Sequence, residues 1–290
     1  MRERLPDSEF KLAIISNCGP LDCYTIERVA ARWPLCALWK PVWNKDSTRR
    51  RTPKWVNLFR APWKALSWRI NSRFYRVLYA RQQRALVRHL YGSGGGAQIK
   101  EVERTQGVQE ISAGEINSAA TQELLHRIAP HVLLVSGGPI LKPELYSIPT
   151  LVALNVHYGI APEYRGEQTL FWAFYNRDFE KIGVTLHYIN EKVDGGAILA
   201  RGYPALNPHD NQITVTAKLA KLASSMVVEF LEYLQVHPGP PPKGLVMDSA
   251  SGKLYRRTDR TILKDATMLI RHCLRPCTVP RREQRIERYF

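Results

Sequence analysis

Residues 131–157 read HVLLVSGGPILKPELYSIPTLVALNVH, and this stretch decides the fold. It contains two short runs, residues 131–136 and 151–156, in which apolar side chains stand at consecutive positions. Strands of parallel sheets are buried on both faces and have this continuous apolar character. A turn signal, Ser-Gly-Gly-Pro over residues 136–139, ends the first run. The stretch therefore predicts two strands inside a parallel sheet.

The same rhythm of strands and helices extends on both sides of this stretch. Apolar runs predict strands over residues 10–16, 36–41, 131–136, 151–156, 183–189 and 197–201. Helical spacing of apolar residues predicts helices over residues 21–32, 115–129 and 213–233. Strands that alternate with helices predict an α/β fold, in which helices cover both faces of a parallel or mixed sheet.

The net charge of +16 is concentrated in two segments. Residues 42–91 carry thirteen lysines and arginines and one acidic residue, a formal charge of +12. Residues 253–290 carry eleven basic and four acidic residues, a charge of +7, which leaves −3 for the rest of the chain. The basic character therefore belongs to two attached segments, and the remainder is close to neutral.

The basic segments divide the chain into a main domain and two additions. The main domain is predicted to span residues 1–238, with a basic, tryptophan-rich helical insertion over residues 42–96. Within the insertion, residues 64–91 have helical apolar spacing and no proline, and GSGGG at residues 92–96 predicts a flexible hinge. Residues 239–290 are predicted to form a short basic C-terminal extension.

Composition excludes several classes of protein. No apolar run reaches the roughly 20 residues that span a bilayer. The first residues, MRERLPDSEFKLAIIS, do not read as a secretory signal, because their apolar stretch is short. The five cysteines are odd in number and lack metal-binding spacing, so we expect reduced thiols and no metal site. A cytoplasmic location is the resulting prediction.

Polar residues gather at the end of the strand predicted over residues 151–156. Asn155 and His157 stand two positions apart, so both project to the same side of an extended backbone. Tyr-Arg-Gly follows at residues 164–166, and Asp-Gly-Gly at residues 194–196 places a carboxylate in a loop that glycine allows to bend sharply. Ligands of open α/β sheets bind at the carboxyl ends of strands. The sequence therefore predicts a pocket that receives these side chains.

These motifs, in this order, resemble the folate-dependent formyltransferase family. The resemblance rests on Asn155-x-His157, Pro162-x-Tyr164-Arg165-Gly166, Trp172-Ala173, the GVTLH of residues 183–187 and the DGG of residues 194–196. The family includes methionyl-tRNA, glycinamide ribonucleotide and sugar N-formyltransferases. The resemblance implies a Rossmann-like formyltransferase fold, with a mostly parallel twisted sheet, for a catalytic domain over residues 1–238. It also implies 10-formyltetrahydrofolate as the formyl donor.

The resemblance further implies a catalytic triad of Asn155, His157 and Asp194. An amine attacks the formyl carbon, and donors placed for the charge that develops on the formyl oxygen are the largest expected catalytic contribution. Asn155 and a protonated His157 would supply such donors. Asp194 would hold the imidazolium and help remove the proton of the attacking amine. His187 is expected to pack inside the sheet.

The folate is expected in a groove between three loops, residues 136–141, 158–162 and 188–194. The residues expected to contact it are Gly137, Ile140, Leu141, Ile160, Pro162, Arg165, Val193 and Gly195. Nothing becomes attached to the protein in formyl transfer, so no serine or cysteine nucleophile is required.

The acceptor is inferred from departures from the family pattern. Gly159 stands where the tRNA and purine branches have serine. The first strand is followed neither by the phosphate loop of the purine enzymes nor by the Gly-Thr-Pro turn of the tRNA branch, and the extension after residue 238 is shorter than that branch's β-barrel. These departures favour an amino sugar, nucleotide- or lipid-linked. The alternatives are methionyl-tRNA formylation, hydrolysis of the formyl folate, and a non-catalytic adaptor for membranes or nucleic acid.

The basic segment over residues 42–91 has three candidate partners. They are a nucleotide-linked sugar, an anionic membrane and tRNA, since a cationic surface favours polyanions. Tryptophans interspersed with basic residues favour either a membrane contact or packing of the segment onto the main domain. A membrane contact would place the enzyme at the inner face of the membrane. The sequence predicts no oligomeric state.

Overall fold

The computed structural model describes residues 6, 9–43, 80–237, 239–248, 250–274 and 278–290. Its strands are β1 (Leu12–Ser16), β2 (Leu35–Val42), β3 (Gln109–Ser112), β4 (Val132–Ser136), β5 (Val152–His157), β6 (Tyr164–Gly166), β7 (Val184–Tyr188), β8 (Ile198–Tyr203), β9 (Lys253–Tyr255) and β10 (Arg285–Arg288). Its α-helices are α1 (Pro20–Ala30), α2 (80–91), α3 (Gly95–Thr105), α4 (Ala119–Ile128), α5 (Pro143–Tyr146), α6 (Thr169–Asn176), α7 (Gln212–Val236) and α8 (Ile262–Leu274).

A mixed sheet forms the centre of the part of the chain described. Its strand order is β10–β8–β7–β5–β4–β1–β2–β3. Neighbours from β3 to β5 pair in parallel, whereas β7, β8 and β10 continue the sheet with antiparallel pairing. A separate parallel pair joins β6 to β9. The predicted α/β fold with a mostly parallel sheet is confirmed.

The central strands are buried on both faces, which explains their continuous apolar runs. Leu12 and Ile14 of β1 enter a core that also contains residues of α1 and α7. Ala13 and Ile15 of the same strand enter a second core with residues of α4 and α5. Successive side chains of a strand point to opposite faces, so each face receives every second residue. Helices therefore cover both sides of the sheet.

The region of the basic insertion differs from the prediction where it is described. Residues 44–79, which hold most of the insertion and of the predicted helix over 64–91, lie outside the described residues. Part of the hinge predicted over 92–96 is instead the start of α3. Gly95 permits this, because a Cβ there would lie 2.6 Å from Tyr91 Cβ and 2.7 Å from Val87 Cγ1. Glycine thus brings α3 against α2.

The residues after position 238 pack closely against the rest of the protein. Strand β10 pairs with β8 at the edge of the main sheet, and β9 pairs with β6. The guanidinium of Arg282 donates hydrogen bonds to Phe179 O at 2.9 Å and Ile182 O at 2.7 Å. Residues of the predicted C-terminal extension therefore contribute strands to both sheets. The domain boundary at residue 238 stays a prediction.

A membrane-spanning helix is absent from the described residues, where no helix combines the length and the apolar character that crossing a bilayer needs.

The parallel strands β1, β4 and β5 end at Ser16, Ser136 and His157. These carboxyl ends lie at one edge of the sheet, and the strand order changes direction between β1 and β4. Such a point is the usual ligand site of open α/β sheets.

Candidate active site

A cleft of about 1220 Å³ opens at this edge of the sheet. The turn after β4, the end of β5 and the loop after β7 form its walls, together with residues 254–257, which are the end of β9 and the two positions after it. Asn155, His157 and Asp194 all line it. Several separate elements thus converge on one concave surface of a size suited to a small-molecule ligand.

The side chains of Asn155, His157 and Asp194 form one polar cluster in this cleft. Asn155 Nδ2 donates to Asp194 Oδ1 at 3.1 Å, and His157 Nδ1 lies 3.3 Å from Asp194 Oδ2. The N–H of Gly166 donates to the same Oδ2 at 2.8 Å. The side chain of Asp194 is only 11% exposed, so its carboxylate depends on these groups to replace water. The three residues predicted from the sequence are therefore brought into contact.

The loop that carries Asp194 is shaped by glycine and by a left-handed backbone. Asp194 itself has a φ of 46°, a region that favours Asp, Asn and Gly. A Cβ at Gly196 would lie 1.8 Å from Tyr188 O, so no other residue fits this approach. Asn190 Nδ2 donates to Gly195 O at 2.9 Å and closes the loop. The DGG sequence thus fixes the direction of the carboxylate.

His157 is held between two oxygen acceptors. Its Nδ1 faces Asp194, and its Nε2 lies 2.7 Å from Tyr164 O. A proton on Nε2 would be donated to Tyr164 O, and a proton on Nδ1 would face the Asp194 carboxylate, so each ring nitrogen has an oxygen acceptor beside it. Gly159 allows this arrangement, because a Cβ there would lie 2.6 Å from both His157 Nε2 and Tyr164 O. Glycine at position 159 therefore has a local packing reason.

Asp194 remains charged in this environment. Burial works to raise its pKa, but the opposing effects of His157, His187 and the Gly166 N–H are together larger. They hold the pKa of the Asp194 carboxyl well below its usual range. The cluster therefore presents a permanent negative charge beside an imidazole at neutral pH.

His187 is a member of the cluster that the sequence did not assign to it. Its side chain is buried, as expected, but its Nε2 lies 3.1 Å from Asn155 Nδ2 and 3.6 Å from Asp194 Oδ1. Its Nδ1 lies 2.7 Å from Tyr188 O, which favours an N–H at Nδ1 and an acceptor at Nε2. Position 187 pairs with Asn155 across β5 and β7. The alternation of β7 predicted burial but not this pairing.

Some of the residues expected to contact folate line the cleft, whereas others do not. Gly137, Ile140, Leu141 and Val193 line the cleft. Ile160 is fully buried and packs on Gly183, where a Cβ would lie 2.3 Å from Ile160 Cδ1. Arg165 is buried and donates to Val193 O at 3.3 Å, so it supports the wall from behind. Pro162 and Gly195 are not among the residues lining the cleft.

Residues 254–257, at the end of β9 and directly after it, form a wall of the cleft that the sequence did not predict. Leu254, Tyr255, Arg256 and Arg257 line it. Strand β9 reaches this place by pairing with β6, in the register that sets Tyr255 opposite Gly166. No short-range signal marks such a pairing, because the two strands are far apart in the sequence.

Within the described residues, no group of three or more His, Cys, Asp or Glu is arranged to hold a metal.

Comparison with known proteins agrees with the geometry of the cleft. Residues 90–231 match the profile of the formyl transferase family. This segment is a formyl transferase domain. The domain contains β4, β5, β7 and the whole of the Asn155, His157 and Asp194 cluster, so the resemblance noted in the sequence is confirmed for it.

The formyl transferase domain has curated relatives among bacterial enzymes. The chain is similar to the methionyl-tRNA formyltransferase of Myxococcus xanthus, with 32% identity over 168 residues that cover 56% of this chain and 54% of the relative. The corresponding enzyme of Chlorobium chlorochromatii is 30% identical over 147 residues, covering 50% of this chain and 46% of that one. The chain thus spans about half the length of the curated relatives it matches.

Solved structures share the fold over a longer stretch. A sugar N-formyltransferase from a Shewanella species superimposes with a TM-score of 0.54 and 15% identity, covering 90% of this chain and 87% of that chain. A 4-N formyltransferase from Francisella tularensis gives a TM-score of 0.55 and 11% identity, covering 90% and 86%. At these identities the likeness establishes a common fold, the Rossmann-like formyltransferase architecture.

Proposed function

We propose that the protein transfers a formyl group from 10-formyltetrahydrofolate to the primary amine of a small acceptor. The observation that carries this proposal is the Asn155, His157 and Asp194 cluster, buried at the carboxyl edge of the sheet and open to a large cleft. Formyl transfer needs a hydrogen-bond donor for the oxyanion and a negative charge that stabilises the attacking nitrogen. The cluster contains both in direct contact.

The cleft wall suits a folate donor. Ile140 is 68% exposed although it is a large apolar residue, and it lines the cleft beside Leu141, Val135 and Ile189. Exposed apolar residues in a cleft favour a ligand with a flat, apolar face. The donor, when bound there, would supply the formyl carbon.

Asp194 acts in this proposal through its charge. A carboxylate with so low a pKa stays ionised but is a weak proton acceptor. We therefore assign it two tasks, to hold the His157 imidazolium and to stabilise the positive charge that develops on the attacking amine. This assignment differs from the expectation that Asp194 helps to remove the proton of the attacking amine.

Asn155 and His157 act at the formyl oxygen. The two protons of Asn155 Nδ2 face Asp194 Oδ1 and His187 Nε2, so donation of one of them to the formyl oxygen requires one of these contacts to open. His157 contributes positive charge. A direct hydrogen bond from His157 to the formyl oxygen, as expected from the resemblance, would require its Nε2 to leave Tyr164 O.

We propose an amino sugar, nucleotide- or lipid-linked, as the acceptor. Support comes from the sugar N-formyltransferase likeness, which extends over 90% of the chain. Methionyl-tRNA is the second candidate, because the curated relatives quoted above are methionyl-tRNA formyltransferases. Those relatives match over about half of their length, so the other half of each relative has no counterpart in the match.

A panel of acceptors tests the proposal. Tetrahydrofolate release from 10-formyltetrahydrofolate would be measured with nucleotide-linked amino sugars, free amino sugars, charged initiator tRNA and no acceptor. We expect release that depends on an amino sugar. Formylation of the tRNA alone would establish the second candidate, and release without any acceptor would indicate hydrolysis. If no tetrahydrofolate is released in any arm, the proposed enzymatic activity is contradicted and the adaptor hypothesis remains.

We also propose a cytoplasmic location with peripheral contact of residues 42–91 with anionic membrane. The support is the charge of +12 in this segment, most of which lies outside the described residues. Flotation of the full chain with phosphatidylserine vesicles at low salt would test it. Binding that disappears at high salt is the expected result, and failure to float at low salt contradicts the membrane contact.

A further inference from the structure

The wall formed by residues 252–257 has a well-defined position in the folded protein. A Cβ at Gly166 would lie 2.1 Å from Tyr255 O, so glycine admits a backbone approach that other residues do not. The ring of Tyr255 stacks on Trp172 with centroids 4.9 Å apart and on Tyr164 with centroids 5.5 Å apart. Side chains that follow Tyr255 therefore start from a well-defined position beside the polar cluster.

The cations of residues 253–264 fall into two groups. Lys253, Arg260 and Lys264 lie over aromatic rings of the protein, at 4.9, 3.9 and 4.6 Å from the ring centroids. Arg256 and Arg257 instead are exposed and line the cleft. Neither of these two forms an ion pair with any residue in the described part of the chain. The first group therefore packs against the protein, whereas Arg256 and Arg257 face the cleft in which a ligand would bind.

The usual phosphate site of such a fold is already filled. A helix N-terminus at the strand edge commonly binds phosphate through free backbone N–H groups. In this chain, Asp22 folds back onto the N-terminus of α1, where Gly19 N–H donates to its Oδ2 at 3.1 Å. Ser136 Oγ donates to its Oδ1 at 2.5 Å. A buried carboxyl group at this position opposes a second anion, so a phosphate must be bound elsewhere in the cleft.

We infer that Arg256 and Arg257 bind the diphosphate of a nucleotide-linked amino-sugar acceptor. Guanidinium groups are permanently charged and bind phosphate oxygens in a bidentate manner. The pair directly follows β9, the strand that pairs with β6, and the Gly166 N–H of β6 donates to Asp194. An acceptor anchored by its diphosphate at this wall would present its amine towards the polar cluster. The choice of this acceptor rests on the proposed function, but the anion site does not.

Binding of inorganic pyrophosphate tests the site without any need for turnover. The full chain would be compared with Arg256→Glu/Arg257→Glu and with Lys100→Glu/Arg127→Glu, which changes the net charge equally at exposed positions outside the cleft. Removing a charge-assisted hydrogen bond should weaken pyrophosphate binding on the order of ten- to a hundredfold. We expect this effect in the first double variant only, with unchanged melting temperatures in both.

Steady-state kinetics then distinguish the acceptor from other anions. For the Arg256/Arg257 variant we expect KM for a nucleotide-linked amino sugar to rise on the order of ten- to a hundredfold while kcat changes little. KM for the corresponding free amino sugar should not change. Equally weakened pyrophosphate binding in both double variants, or no binding by the natural chain, would overturn the inference. So would an equal rise in KM for the free sugar. If no acceptor is formylated at all, the proposed function fails while the pyrophosphate result still decides the anion site.

Discussion

Gly166 donates its backbone N–H to Asp194 Oδ2 at 2.8 Å, across 28 positions of sequence. The same glycine pairs with Tyr255 on β9, so one residue connects the cleft wall to the carboxylate of the polar cluster. A carboxylate that receives a backbone N–H cannot easily swing away from its histidine partner. The orientation of Asp194 therefore depends on β6 as well as on its own loop.

Replacing Asp194 by Asn should abolish most formyl transfer. The change removes the negative charge that lies 3.3 Å from His157 Nδ1, while the side chain keeps its shape. We expect a fall in kcat of about 10²- to 10³-fold, the usual effect of losing one preorganised electrostatic group. Tetrahydrofolate release is the measurement, and Glu123→Gln, at an exposed position on α4, is the control. Near-normal activity of Asp194→Asn would contradict the assigned role.

Replacing Asp22 by Asn should change how stability depends on pH. Burial raises the pKa of the Asp22 carboxyl to about 6, and the hydrogen bonds from Ser136 and Gly19 offset this only in part. The folded state thus keeps a proton that the unfolded state loses near pH 4, so stability falls as pH rises from about 4 to 6. The Asn variant has no such fall, and at pH 7 it should be more stable by up to about 3 kcal/mol.

Urea unfolding at pH 4, 5, 6 and 7 would measure this difference. The gap between Asp22→Asn and the natural chain should narrow towards pH 4, because the carboxyl of the unfolded state then begins to bind the proton that the folded state already holds. Glu115→Gln, at an exposed position, should follow the natural chain throughout. A constant gap at every pH would show that Asp22 does not titrate as described.

Replacing Gly159 by Ser should disturb the His157 site. The new Cβ would lie 2.6 Å from His157 Nε2 and from Tyr164 O, and 2.8 Å from Thr169 Oγ1. Overpacking of this kind costs about 1–3 kcal/mol, and it separates His157 from its carbonyl partner. We expect lower stability in thermal unfolding and at least a tenfold reduction of kcat.

Gly96→Ala provides the matched control for Gly159→Ser. A Cβ at Gly96, within α3, would meet nothing within 4 Å. This change should raise stability by about 0.5–1 kcal/mol, since alanine favours a helix over glycine. A Gly159→Ser variant that is as stable and active as Gly96→Ala would show that the contact between His157 and Tyr164 is dispensable.

Replacing Thr185 by Val should loosen the loop that follows His157. Thr185 Oγ1 donates to Gly159 O at 2.7 Å and accepts from the Ala161 N–H at 3.1 Å. Valine has nearly the same shape but leaves both backbone groups unsatisfied, at a cost of about 1–3 kcal/mol. Thermal unfolding and kcat would both be measured. Thr267→Val is the control, because its hydroxyl bonds only to Leu263 O in its own helix, and it should change neither quantity much.

Much of the fold could be predicted from the sequence because its signals are local. The apolar runs that became β4 and β5 are continuous, and burial on both faces requires this. The helix predicted over residues 213–233 corresponds to α7, whose Asn211 side chain caps its first turn. Elements formed by weaker patterns were missed. They include α3, which begins in a glycine-rich stretch, the helices α5, α6 and α8, and the short strands β3, β6, β9 and β10.

The polar cluster could be predicted only in part. Asn155 and His157 were placed together because residues two apart share a face of a strand. His187 was not, since its neighbour Asn155 lies on another strand and register cannot be read from either segment alone. Arg256 and Arg257 reach the cleft through pairing between β9 and β6, two strands that are distant in the sequence. Pairing of this kind leaves no periodic signal in the sequence.

The pairing of β6 with β9 also affects the order in which parts of the molecule unfold locally. A short, two-stranded pair that closes a long loop gains few hydrogen bonds for the chain entropy it consumes. Its free energy of local opening should therefore lie below that of the central sheet. Mild denaturant would then release the segment around Tyr255 first and expose the cleft while the helices stay intact. Hydrogen exchange would be fastest at that wall, and transfer would cease well before the protein unfolds.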